Sequence, residues 1–166
     1  MRLYNRALAG FWFDKRWTHD FAFHRAAPNI DRDVLAEKPD LVIWQVGTNA
    51  VLRDLDPVET AKLVNDGVAR IQAAGADLVL VDPQFTLKSP DAARYERFVR
   101  MVDDIGASDH VPVLSRYAMM KRFAAKSTAT IESLLSRDGL HMNDLGYRCL
   151  AHALAEAIEG AAGAKL

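Results

Sequence analysis

Two short segments of the chain are apolar at nearly every position and are bounded by turn residues. Residues 41–46 read Leu-Val-Ile-Trp-Gln-Val, and residues 77–82 read Asp-Leu-Val-Leu-Val-Asp. A strand that is covered on both faces has this composition, because its side chains meet apolar neighbours on either side. The pattern therefore predicts two central strands of a parallel sheet. Residues 111–114 predict a third, shorter strand, which Pro112 makes unsuitable for the sheet centre.

Between these strands, apolar residues recur every three or four positions, as they do on one face of an α-helix. The clearest case begins at Pro57, which suits the first turn of a helix, and runs up to Gly75. Further helices are predicted over residues 90–105, 117–125 and 144–158. Gly106 is predicted to end the first of these, and Asn143 or Asp144 to cap the last. Strands that alternate with helices predict an α/β fold.

Composition and charge exclude several classes of protein. The length of 166 residues suits one domain, so residues 1–166 are expected to fold as a single unit. With 50% hydrophobic and 26% charged residues, the chain is not disordered, collagen-like or a coiled coil. The net charge of -1 offers no basic excess for nucleic acid, and no apolar run is long enough to span a membrane. Cys149 is the only cysteine, which excludes an internal disulfide.

The first candidate for chemistry is the sequence Gly-Thr-Asn at residues 47–49, directly after the first buried strand. In open α/β sheets, ligands bind beyond the carboxyl ends of the strands. Gly47 allows a sharp turn there, and the Asn49 amide can then donate to a developing oxyanion. The alternative is an ordinary turn in which the Asn49 side chain bonds its own backbone.

The second candidate is the pair Asp138 and His141, three residues apart and just before the last predicted helix. A carboxylate bonded to one imidazole nitrogen fixes the tautomer, so that the other nitrogen can accept a proton from a nucleophile. The alternative is a chance spacing that forms a surface salt bridge. No second histidine follows at metal-ligand spacing on the same element, so a metal is not expected. No other cofactor is expected either.

A third motif, Asn5-x-x-x-x-Gly10, is uninformative alone, because Gly10 can offer its backbone N–H to a ligand or simply form a turn. In this order, however, the three motifs resemble those of the SGNH (GDSL-type) hydrolase family. The Lys-Pro-Asp sequence at 38–40 and the His-Met-Asn-Asp-Leu-Gly-Tyr sequence at 141–147 are also similar to blocks of that family. The resemblance covers most of the chain. It is weakest over the aromatic-rich residues 11–30, whose role is left open.

The resemblance implies a three-layer, flavodoxin-like α/β/α domain that hydrolyses an ester or thioester through an acyl-enzyme. It also implies a role for each matching residue. His141 would be the general base, and Asp138 would orient it. The backbone N–H of Gly10 and the side-chain amide of Asn49 would form the oxyanion hole.

A small-molecule ester is the expected partner. Gln84, Phe85 and Tyr117 follow predicted strands and are candidate substrate-binding residues, with plain packing as the alternative for each. The substrate's identity, the oligomeric state and the compartment, cytoplasmic or exported, are left open.

One departure from the family is severe, because the Gly-Asp-Ser block that carries its nucleophilic serine does not occur in this sequence. Of the six serines, only Ser115 directly follows a predicted strand, and it lacks a neighbouring glycine. In the flavodoxin-like order 2-1-3-4-5 the first strand is central. We therefore expect a truncated hydrolase that lacks this strand between Leu3-Tyr4 and residues 41–46, and that is inactive as given. The alternative is a non-catalytic binding module that keeps the pocket.

Overall fold

The computed structural model of the protein describes residues 3–4, 26–87 and 91–163. Its elements, in chain order, are β1 (Leu3–Tyr4), α1 (Ala26–Asp33), a 3₁₀ turn (Leu35–Glu37), β2 (Leu41–Gln45), α2 (Thr48–Leu52), α3 (Pro57–Ala73), β3 (Asp77–Val81), α4 (Ala92–Ser108), β4 (Val113–Leu114), α5 (Arg116–Lys126), α6 (Thr128–Glu132) and α7 (Asp144–Gly163). The predicted α/β class is confirmed. The short helices α2 and α6 were not predicted, because five residues are too few to show helical periodicity.

The strands form one sheet in the order β1-β2-β3-β4. β2 runs parallel to β3, with Leu41 opposite Asp77 and Gln45 opposite Val81. β1 also runs parallel to β2, with Leu3 opposite Leu41. As expected, no strand lies between β1 and β2 in the described part of the sheet, but the two strands pair with each other instead of flanking a gap. Direct pairing supplies partners to backbone groups that a gap would leave unpaired at a strand edge.

The chain divides into two compact units. The first comprises Met1–Pro83 and Ala93–Val113, and the second comprises Gln84–Ala92 and Leu114–Leu166. That residues 1–166 fold as a single domain stays a prediction.

In the first unit, α3 packs closely against its neighbours at Gly67. A β-carbon at this position would lie 2.5 Å from the Trp44 ring and 2.8 Å from Cδ1 of Ile30. Glycine at position 67 thus permits a close approach of helix to strand.

Helix α3 begins as predicted at Pro57, where the Asp56 carboxylate accepts backbone N–H groups of the first turn at 2.8 and 2.9 Å.

Gly106 also lies inside a helix, because α4 continues to Ser108. The prediction that Gly106 ends this helix is wrong. A β-carbon at Gly106 would lie 2.3 Å from Cγ2 of Val113 and 2.9 Å from the carbonyl oxygen of Val111. The glycine allows the returning chain to pass against the helix, which local sequence patterns cannot show.

The second unit has its own apolar core beneath α5, α6 and α7. Its buried members are Met120, Ile131, Leu134, Leu135, Met142 and Leu150. At Gly146, in the first turn of α7, a β-carbon would lie 2.4 Å from the carbonyl oxygen of Leu134. The start of α7 and the chain around Leu134 are therefore in direct backbone contact.

Candidate active site

Asp138 and His141 lie on a short hairpin of the second unit, between α6 and α7. The N–H of Ser136 donates to the carbonyl oxygen of His141 at 2.7 Å, and the N–H of Gly139 donates to that of Ser136 at 2.9 Å. Gly139 has a φ of 65°, a left-handed conformation that glycine adopts without steric cost. This turn places the Asp138 side chain beside the residues that follow it.

The Asp138 carboxylate bonds to both the backbone and the side chain of the hairpin. Its Oδ1 accepts the N–H groups of Leu140 at 2.9 Å and of His141 at 3.0 Å. Its Oδ2 lies 2.6 Å from Nδ1 of His141. The bond to the imidazole, followed by those to the two N–H groups, lowers the pKa of the Asp138 carboxyl from 3.8 to about 2. The carboxylate–imidazole bond expected from the spacing is therefore present.

This bond determines where the imidazole can accept a proton. An ionised carboxylate can only accept hydrogen bonds, so Nδ1 of His141 carries the proton that they share. The lone pair of a neutral imidazole then lies on Nε2. Because the His141 side chain is 66% exposed, the ring is accessible to a reactant. The arrangement can thus take up a proton at Nε2.

Four of the described serines have hydroxyl bonds to groups other than the His141 ring. Their hydroxyl bonds run from Ser108 to the Ile105 carbonyl, from Ser127 to the Thr130 hydroxyl, from Ser133 to the Thr130 carbonyl and from Ser136 to the Met142 carbonyl. Ser115 stands before α5 without a side-chain capping bond. None of the hydroxyl bonds of Ser108, Ser127, Ser133 and Ser136 is made to Nε2 of His141.

Asn49 lies in the first unit, in the short helix α2 that follows β2. Gly47 precedes this helix with a φ of 95°, and a β-carbon there would lie 2.7 Å from Cγ of Pro83. The backbone carbonyl of Asn49 accepts the N–H of Arg53 at 3.0 Å. Its half-buried side chain makes no hydrogen bond to residues 26–87 or 91–163. The described residues therefore do not form an ordinary turn held by the Asn49 side chain.

The remaining oxyanion-hole candidate, Gly10, lies outside the described residues, as do residues 11–25. Asn49 and His141 belong to different units. The convergence of Gly10, Asn49 and His141 on one ligand stays a prediction.

A match to a protein-family profile shows which family the chain belongs to. The profile of the non-GDSL lipase-like family matches residues 14–164. The chain belongs to this family. The resemblance to SGNH (GDSL-type) hydrolases is thereby confirmed at the level of a lipase-like hydrolase family. No curated protein matches the chain.

Solved structures of lipases and esterases share the fold of this member of the non-GDSL lipase-like family. A lipase/acylhydrolase from Enterococcus faecalis is 22% identical, with a TM-score of 0.70, over 87% of this chain and 71% of its own. The acetyl xylan esterase AlAXEase is 17% identical, with a TM-score of 0.73, over 82% and 75%. A structure described as a lipolytic protein of the G-D-S-L family, from Desulfitobacterium hafniense DCB-2, is 19% identical, with a TM-score of 0.67, over 84% and 75%.

In this family member, the three candidate substrate-binding residues make a hydrogen bond or a ring contact within the second unit. The buried Gln84 donates from Nε2 to the carbonyl oxygen of Leu140, within the Asp138–His141 hairpin. Phe85 and the buried Tyr117 pack edge to face, with ring centroids 5.6 Å apart. These contacts are the packing alternative that the sequence leaves open, and a role in substrate binding stays a prediction.

Asn143 has a second function that the sequence pattern did not indicate. Its Oδ1 accepts the N–H of Gly146 at 3.0 Å, which confirms the predicted cap of α7. Its Nδ2 also donates to the carbonyl oxygens of Ser133 at 2.8 Å and Leu135 at 3.0 Å. The only signal for these bonds is the choice of asparagine over serine or aspartate at a cap.

The described residues contain neither a helix suited to a bilayer nor a group of metal-ligating side chains. None of their helices is both long and apolar enough to cross a bilayer. Nor do three or more of their His, Cys, Asp or Glu side chains group as metal ligands would.

Proposed function

We propose that this member of the lipase-like family provides the general base of an ester hydrolase, with His141 as the base and Asp138 as the residue that orients it. The observation that carries the proposal is the 2.6 Å contact between Asp138 Oδ2 and His141 Nδ1. It leaves Nε2 of an accessible imidazole as the proton acceptor. An ionised Asp138 also stabilises the imidazolium that forms when His141 takes the proton.

The reaction proceeds through an acyl-enzyme. A serine hydroxyl attacks the ester carbonyl while Nε2 of His141 takes its proton, and the same proton then passes to the departing alcohol. Water repeats the cycle on the acyl-serine and releases the acid. The carboxylic ester is the proposed substrate class, with a thioester as the variant that the same chemistry accepts.

The oxyanion of the tetrahedral intermediate needs donors that are already in place. We assign this role to the Asn49 amide and the backbone N–H of Gly10. The Asn49 side chain is half-buried and unbonded within the described part of the chain, which leaves its N–H groups available. Removal of one such donor typically costs about 10²–10³ in rate.

The nucleophile is the part of the mechanism that these 166 residues do not provide as a Gly-Asp-Ser motif. Loss of the serine of such a triad lowers kcat about 10⁶-fold. The polypeptide as given is therefore expected to be nearly inert, and the complete machinery would include a serine from outside it.

Ester hydrolysis in two polypeptides tests the proposal. The 166-residue chain and the product of the longest reading frame that contains it are assayed with p-nitrophenyl acetate, each as wild type and as His141→Ala. We expect turnover only in the longer product, with labelling of a serine by a fluorophosphonate probe. His141→Ala should lower its kcat about 10⁶-fold, and Asp138→Ala about 10⁴-fold.

Other outcomes would overturn parts of the proposal. Turnover by the 166-residue chain that His141→Ala abolishes would keep His141 as the base, but with an activated water as nucleophile. An inert, unlabelled longer product would favour the non-catalytic binding module instead. Turnover that is insensitive to His141→Ala would remove this residue from the mechanism.

A further inference from the structure

The hairpin that carries Asp138 and His141 is short, and its strands pair over only a few residues. The Ser136 N–H donates to the His141 carbonyl oxygen, and Leu135 and Met142 form an isolated antiparallel bridge. A two-stranded hairpin alone is marginally stable in water. The position of the His141 ring therefore depends on what holds the base of the hairpin.

Asn143, two residues after His141, holds that base through both ends of its side-chain amide. On one side, Nδ2 donates to the carbonyl oxygens of Ser133 and Leu135, at 2.8 and 3.0 Å. On the other side, Oδ1 accepts the N–H of Gly146 at 3.0 Å. One amide thus bonds to the chain before the hairpin and to the helix after it.

Helix capping alone does not require this residue. A cap needs one acceptor for the free N–H groups of the first turn, and serine or aspartate provides it about as well as asparagine does. Asparagine differs from these because its amide adds two N–H donors to the acceptor. In this structure both donors bond to carbonyl groups on the incoming side of the hairpin, those of Ser133 and Leu135, outside α7. The acceptor of Asn143 serves the helix, and its donors serve the hairpin.

We propose that Asn143 is a positioning residue for the Asp138–His141 pair, because its amide ties the incoming chain of the hairpin to the first turn of α7. The inference rests on the proposed function, in which His141 is the base. Without the two Nδ2 bonds, the hairpin base can move relative to α7 while the cap of the helix remains. A misplacement of about 1 Å in a catalytic group is enough to cost about 10²-fold in rate.

The variant Asn143→Ser tests this role, because it keeps a capping oxygen, removes both amide donors and adds no charge. Asp56→Ala is the matched control, since it weakens a helix cap in the first unit. Two NMR readouts follow the pair in the 166-residue chain: the titration of the Asp138 carboxyl carbon and the ¹⁵N signal of His141 Nδ1. Neither readout needs substrate or turnover.

In Asn143→Ser we expect the pKa of Asp138 to rise from about 2 toward 3.8, as the bonds that lower it weaken. The Nδ1 signal of His141 should shift toward that of a free imidazole. Asp56→Ala should change neither readout. Wild-type values for both in a folded Asn143→Ser protein would overturn the proposal, as would an equal change in Asp56→Ala.

A second variant covers the case in which Asn143→Ser does not fold. Asn143→Thr keeps a cap oxygen and adds no charge, but its single hydroxyl cannot replace the two amide donors to Ser133 and Leu135. The Nδ1 signal of His141 is read as before. A shift of this signal supports the proposal, and a wild-type signal overturns it.

Failure of the proposed function gives a different result. If the NMR signals move as expected while His141→Ala leaves ester hydrolysis unchanged, His141 is not the base. The role of Asn143 in placing the pair is then supported, and the catalytic use of that pair is refuted.

Discussion

Two glycines of α7 lie in opposite surroundings, and replacing each with alanine tests how tightly the helix start packs. Gly146 is in the first turn, beneath the chain that leads into the Asp138–His141 hairpin, and Gly160 is near the other end of the same helix. A β-carbon at Gly146 would lie 2.4 Å from the Leu134 carbonyl oxygen, whereas one at Gly160 would meet nothing within 4 Å. The two substitutions are therefore expected to change stability in opposite directions.

The expected magnitudes follow from these distances. Ordinary contact begins at 3.4 Å, so Gly146→Ala requires the Leu134 backbone to move by about 1 Å. Overpacking of this kind typically costs about 1–3 kcal/mol. Alanine recovers at most about 1 kcal/mol through its higher helix propensity. We expect Gly146→Ala to lower the free energy of unfolding by about 1–2 kcal/mol and Gly160→Ala to raise it by up to about 1 kcal/mol.

Urea unfolding followed by circular dichroism measures both changes, and thermal unfolding should separate the two variants by several degrees, at about 2–4 °C per kcal/mol. In Gly146→Ala, the amide signal of Asn143 should also shift, because its N–H donates to the same Leu134 carbonyl at 3.0 Å. Equal stability of the two variants would refute the close contact between α7 and Leu134.

Three further predictions concern single side chains. The stabilisation that Asp138 gains from its low pKa is present above its unfolded value of 3.8 and is lost as pH falls through about 2. Asp138→Asn should therefore lower the urea midpoint at pH 5 but not below pH 2, and a pH-independent difference would contradict this. Asp56→Ala should cost about 1 kcal/mol in urea unfolding, while Asp56→Asn retains the cap. Gln84→Met removes the donor to the Leu140 carbonyl and should shift the NMR signal of the Leu140 amide in the absence of substrate. Gln72→Met removes a side-chain donor to a backbone carbonyl elsewhere in the chain and should leave that signal unchanged.

Much of the fold could be predicted because its causes are local. The strand at residues 41–46 is visible as a short apolar run, and the helix that begins at Pro57 as apolar residues at helical spacing after a proline. The same is true of the Asp138–His141 bond, because three residues of separation allow a turn to close it. Membership of a lipase-like hydrolase family follows from the order of such local motifs.

The features that the sequence could not indicate arise between segments that are distant along the chain. Gly106 has the pattern of a helix end, yet its role is to let Val113 approach the helix. Gln84 has the pattern of a pocket residue, yet its amide donates to Leu140, 56 positions away.

The features of the candidate site also fall into these two groups, local and long-range. The sequence by itself determined which side chains can act as base and orienter, because that depends on residue type and short spacing. Only the tertiary structure decided how the pair is held: by the donors of Asn143, by Gln84 and by the absence of a side chain at Gly146. The reason is physical, since hydrogen bonds and close contacts between backbone segments depend on distances that folding creates and that no local pattern records.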